Sequence, residues 1–67
     1  MISITVNGRD VNIEHPMSVR ELLETVEVPP NYLAVEVNAE VVAREAYGEQ
    51  MVNEGDDVEV VTLVGGG

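Results

Sequence analysis

The residues best placed to do chemistry close the sequence, where Val58-Glu59-Val60-Val61-Thr62-Leu63-Val64 gives way to Gly65-Gly66-Gly67. Apolar and β-branched residues dominate the first part and read as a strand, after which every side chain disappears. Glycine lacks Cβ and takes φ > 0 freely, so such a tail can be threaded extended through a narrow channel into another protein's active site, presenting backbone alone. The expected reactive group is therefore the carboxylate of Gly67, with Gly65 and Gly66 as the threading element. The alternative for the same three residues is a plain flexible linker, and the body in front of them has to decide.

No other arrangement in the chain competes. The sequence holds no cysteine, which excludes disulfides, thiolate metal sites and a cysteine nucleophile. His15 is the single histidine and sits beside Pro16, an idle surface position rather than a catalytic one. Ser/His/Asp sets, P-loops and Gly-rich dinucleotide turns are missing, and the acids lack calcium-loop spacing, so neither metal nor bound cofactor is expected. Thirteen acids against three arginines give a net charge of −10. That balance repels nucleic-acid phosphates and anionic lipid, and it steers the chain toward a basic partner surface, although solubility alone would also account for it. Lysine is absent altogether, leaving only the N-terminal amine for isopeptide-type chain building. No apolar run approaches the ~18 residues that span a bilayer, and the N-terminus alternates instead of resembling a signal peptide. A cytoplasmic monomer without membrane attachment is the expectation.

Sixty-seven residues make one domain, and a chain of this size buries only about 60% of its unfolded surface. Ile2, Ile4 and Val6 alternate with Ser3 and Thr5 as in a half-buried strand. Asn7-Gly8 is the strongest short hairpin signal, because both central residues of a type I′ turn need φ > 0. Arg9 to Ile13 is the return strand. Pro16 ends it, and Ser18 with Glu21 forms a capping box, with Met17 stapling onto Leu22. Val19, Leu22, Leu23 and Val26 then form one stripe of a helix of about nine residues. A third strand is expected over Tyr32–Val37 with Leu33, Val35 and Val37 on one face. A turn at Asn38-Ala39-Glu40 leads to a very short strand at Val41-Val42. Arg44–Tyr47 makes a single helical or 3₁₀ turn, Gln50–Val52 a brief extended piece, and Asn53–Asp57 the turn into the last strand. Tyr47 reads as core or staple, and Arg44 as pairing with an acid or capping a carbonyl.

One helix for five strands can cover only one face of the sheet, and this order resembles the β-grasp pattern. The expected fold is α+β: a ubiquitin-like β-grasp domain over residues 1–64, with a mixed sheet of about five strands and one helix, followed by a flexible tail at 65–67. Placing the apolar terminal strand at the centre buries its backbone edges. With Val58 and Val60 toward the helix, Val61 and Leu63 point away at the root of the tail. Rimmed by acids, they are the candidate partner-docking surface.

The run Val37-Asn38-Ala39-Glu40-Val41-Val42-Ala43-Arg44-Glu45-Ala46-Tyr47, the Glu54-Gly55-Asp56 turn and the Val64-Gly65-Gly66-Gly67 end together resemble ThiS, the sulfur carrier family of thiamin biosynthesis. The small subunit of molybdopterin synthase shares the fold and the Gly-Gly end but lacks the Arg-Glu-x-aromatic segment. The resemblance implies a carrier or co-substrate, not an enzyme. A ubiquitin-activating-like adenylyltransferase would use ATP to adenylate Gly67. A persulfide from a cysteine desulfurase or other donor would then leave a thiocarboxylate there, for delivery to thiazole synthase. Two further classes share parts of the pattern: a ubiquitin-like protein modifier, and a small regulatory module of the kind appended to tRNA synthetases.

Overall fold

The computed structural model describes residues 1–62. The alternating opening forms β1 (Ile2–Val6), folded onto β2 (Arg9–Ile13) with Val6 opposite Arg9 and Ile2 opposite Ile13. Both turn residues have positive φ, 52° at Asn7 and 80° at Gly8, as a type I′ turn demands. After Pro16 comes a two-residue strand that the sequence did not signal, β3 (Met17–Ser18), which pairs antiparallel with β6 (Met51–Val52). Together they tie the entry of the helix to the segment before the last turn.

Ser18 caps the helix, its Oγ accepting the Glu21 N–H at 3.1 Å. Helix α1 (Val19–Thr25) has seven residues, shorter than the apolar stripe predicted. Val26 keeps the stripe and its N–H still reaches the Leu22 carbonyl, but its backbone is already extended at φ −106°, ψ 156°. The next strand, β4 (Ala34–Val37), likewise starts two residues later than expected. Leu33 lies before it and is 54% exposed, so it does not share the buried face of Val35 and Val37. Asn38 and Ala39, with φ of 52° and 70°, form a second left-handed two-residue turn into β5 (Glu40–Val42), with Val37 opposite Glu40. A 3₁₀ turn over Arg44–Ala46 and β7 (Asp57–Val61) complete the described chain.

The main sheet has the order β2-β1-β7-β4-β5. Strand β7 runs parallel to β1 and antiparallel to β4, so the sheet is mixed and the last described strand is central, as the sequence predicts. Ile4, Val35 and Val58 from the sheet are buried with Val19 and Leu22 from α1 in one cluster. The helix covers that face, and the opposite face of the sheet stays open. The predicted domain boundary at residue 64 lies outside the described residues.

Candidate functional site

The strand that leads to the glycines is anchored by its alternation. Val58 and Val60 are buried, whereas Val61 is half-buried and, one residue on, faces the open side of the sheet. Ala34 stands opposite Val61, Glu36 opposite Glu59, and Val41 opposite Glu36. Directly opposed residues share a face. The open face at the end of β7 therefore carries an apolar pair, Ala34 and Val61, beside a row of Glu59, Glu36 and Val41. Val41, 68% exposed, joins this surface although the sequence reading did not single it out; the signal was available in the alternation of β5 against β4. Leu63, the other predicted docking residue, lies outside the described residues, as do Gly65, Gly66 and Gly67.

Two asparagines pin β7 from its flanks. The Asn7 N–H donates to the Val58 carbonyl at 2.9 Å and Asn7 Oδ1 accepts the Val60 N–H at 2.7 Å, so the hairpin turn continues the β1–β7 ladder past the end of β1. At the strand's start, Asn38 Oδ1 accepts the Asp57 N–H at 3.0 Å, and Asn38 Nδ2 donates to Asp56 Oδ1 at 3.1 Å. The left-handed backbone that asparagine tolerates is what aims both side chains at β7.

At the far end of β7, Arg44 caps carbonyls as one of the two sequence readings expected. Its Nη2 donates to the carbonyls of Tyr32 at 3.2 Å and Leu33 at 3.4 Å, and its guanidinium carbon lies 4.9 Å from the centre of the Tyr32 ring. The Leu33 N–H in turn donates to the Val61 carbonyl at 2.7 Å. Tyr47 is buried as predicted, and its hydroxyl meets no partner at hydrogen-bond geometry. Burial pushes that phenol above its usual range, the nearby Tyr32 phenol adds to the rise, and the Arg44 charge opposes it. His15 is exposed and turns its Nδ1 to the Pro16 carbonyl at 2.8 Å, a local contact that places it at no site. Among the described residues, no group of three or more His, Cys, Asp or Glu could hold a metal ion, and no helix is long and apolar enough to cross a membrane.

A five-stranded mixed sheet with β7 at its centre and a family profile matched over residues 4–67, that of the ThiS family, cover the same ground. This chain belongs to the ThiS family. The crystal structure of the thiamine biosynthesis protein ThiS from Geobacter metallireducens matches it with a TM-score of 0.84 at 38% identity, covering 98% of this chain and 100% of that one. A thiazole synthase of Paramagnetospirillum magneticum is 36% identical over 66 residues, 98% of this chain but 20% of that protein. A protein of Porphyra purpurea named ycf40 is 33% identical over 66 residues, 98% of this chain and 93% of that one. The chain spans about a fifth of the length of the thiazole synthases it matches.

Proposed function

We propose that this ThiS-family chain is the sulfur carrier of thiazole formation in thiamin biosynthesis, and that the carboxylate of Gly67 carries the sulfur. A carboxylate is a poor electrophile, so its oxygen first attacks the α-phosphorus of ATP on an adenylyltransferase, releasing pyrophosphate and leaving an acyl-adenylate with AMP as a good leaving group. A persulfide sulfur displaces AMP, and cleavage of its S–S bond by a thiol leaves the thiocarboxylate. Thiazole synthase takes that sulfur. In this scheme the chain is a co-substrate: residues 65–67 form the tail threaded into each enzyme, and the folded domain before them supplies the docking surface.

The observation that carries the reading is the match to thiazole synthases, in which a segment similar to this whole chain occupies about a fifth of a much longer polypeptide. A carrier-like segment joined covalently to the sulfur-accepting enzyme raises their effective concentration for one another, which makes sense if the two work in succession. The open sheet face supports a docking role. Glu36 and Glu59 stand directly opposite each other, a like-charge arrangement that costs stability in the free domain and that a basic partner surface would relieve. Beside them, Ala34, Val61 and Val41 supply apolar area, with Leu63 as the predicted continuation.

Intact-mass analysis of the protein purified from its own cells tests the proposal. Replacement of one oxygen by sulfur at Gly67 is the expected finding. Deleting Gly67 or appending one alanine should abolish ATP–pyrophosphate exchange by the adenylyltransferase while circular dichroism stays unchanged. Undiminished activation of either variant would exclude the terminal carboxylate as the site, and mass-shifted protein conjugates in place of the thiocarboxylate would indicate a modifier instead.

A further inference from the structure

We infer that Arg44 is a positioning residue for the reactive tail: it fixes the Val61 end of β7, the strand that precedes the tail in sequence. This rests on the sulfur-carrier reading above and adds a residue to it. Strand β4 begins only at Ala34, so nothing in its own ladder holds the Tyr32-Leu33 segment. Yet that segment supplies a backbone bond to the last residue of β7, from the Leu33 N–H to the Val61 carbonyl at 2.7 Å. Tyr32 packs against the core, and Arg44 fastens the backbone of the segment through the carbonyls of Tyr32 and Leu33 while lying over the Tyr32 ring. The 3₁₀ turn that bears Arg44 is itself anchored, since the Arg20 N–H donates to the Tyr47 carbonyl at 3.0 Å and Tyr47 is buried in the core. A chain of contacts therefore runs from the core through the turn and the guanidinium to the Tyr32-Leu33 segment and Val61.

The chemistry explains why such a path matters. The tail has no side chains to recognise, so its carboxylate reaches a phosphorus atom only if the strand before it leaves the domain at a fixed place and direction. Small misplacements of a reacting group cost roughly tenfold to a hundredfold in rate. Arginine suits the task because its planar fork can serve two carbonyls while stacking on an aromatic face. Lysine can imitate part of this, since its ammonium also donates to carbonyls and sits over rings.

The test uses the full chain with its adenylyltransferase and ATP. Arg44→Ala should lower kcat for ATP–pyrophosphate exchange by about tenfold or more while the KM for the carrier stays within about twofold, because Glu36, Glu59 and Val41 on the docking face are held by the β4–β7 and β4–β5 ladders. Arg44→Lys should recover most of the loss. Amide hydrogen exchange at Leu33 should accelerate severalfold in Arg44→Ala, with the β1–β2 hairpin protected as in wild type. Val52→Ala, which empties a core site at β6, serves as the control: it should lower the melting temperature yet keep kcat at a temperature where it is folded. If Arg44→Ala is activated like wild type, or if its kcat loss is matched by Val52→Ala at equal folded fraction, Arg44 only stabilises the fold and the inference falls. Absence of exchange with the wild-type chain would instead overturn the carrier reading, and this inference with it.

Discussion

Ala39 is the residue whose replacement should make this domain more stable. It is the second residue of the turn between β4 and β5, it is exposed, and its φ is +70°. In that region Cβ crowds the following carbonyl, at a cost of about 1–2 kcal/mol. Ala39→Gly removes this cost. It also makes the unfolded chain more flexible, which takes back about 0.4–1 kcal/mol, and an exposed methyl contributes little burial to lose. The net gain is about 0.5–1 kcal/mol. For a domain of this size 1 kcal/mol corresponds to roughly 4–8 °C, so the melting temperature should rise by about 3–6 °C in a circular-dichroism melt. The urea midpoint should rise in step with an unchanged m-value. The companion turn supplies the reverse experiment. Gly8 has φ +80° and a Cβ built there meets nothing within 4 Å, so Gly8→Ala isolates the backbone effect and should destabilise by a similar amount. A melting temperature that falls or stays level in Ala39→Gly would show that residue 39 is not held left-handed, and the reasoning would be wrong at its first step.

Tyr47→Phe removes a buried hydroxyl that meets no partner at hydrogen-bond geometry, the Tyr32 phenol lying nearby, and should raise stability by about 1 kcal/mol, read by urea denaturation. Because burial holds the folded Tyr47 phenol above the usual 10.0, the unfolded chain ionises first, and as pH climbs from 10.0 through the folded value wild type should lose stability that Tyr47→Phe keeps. Val60→Ala empties a buried site and should cost about 2–3 kcal/mol, whereas Val61→Ala on the open face should cost under about 0.5 kcal/mol yet weaken partner binding measured by calorimetry; the opposite pattern would reverse the two faces of β7. With a net charge of −10, association with the adenylyltransferase proposed above should slow as salt rises from about 0.05 to 0.5 M in stopped-flow mixing, and a flat response would leave the acids a solubility role only.

Much of this architecture was legible because it rests on local rules. Asn7-Gly8 fixed the first hairpin, Ser18 and Glu21 the start of the helix, and the alternation of Val58, Val60 and Val61 the two faces of β7. Where the reading failed, a long-range contact had overruled a local pattern. Leu33 continues the alternation of Val35 and Val37, but the Tyr32 and Leu33 carbonyls turn to Arg44 instead of entering a strand. Helix α1 stops before the apolar stripe does because Val26 can keep packing against the core in an extended conformation. Strand β3 is two residues long and exists only because β6 lies beside it; no periodicity can announce such a pair. The roles of Asn7 and Asn38 were half legible, since asparagine at a left-handed turn is expected, whereas the bonds their side chains make to β7 bridge some 50 and 20 positions of sequence.

The central place of β7 makes its pairing an indicator of completed folding. Without β7 the main sheet separates into two hairpins, β1–β2 and β4–β5, that have no ladder in common. Among the described strands it is also the last in sequence, and its parallel pairing with β1 is about as non-local as a chain of this length permits, a contact that forms late. A chain that is nicked, stalled or misassembled therefore lacks a fixed β7, and on the carrier reading proposed above it has no root for a reactive end. An enzyme that accepts the tail only in register with that root would spend ATP on folded carriers alone, and the check on folding would cost it no separate recognition step.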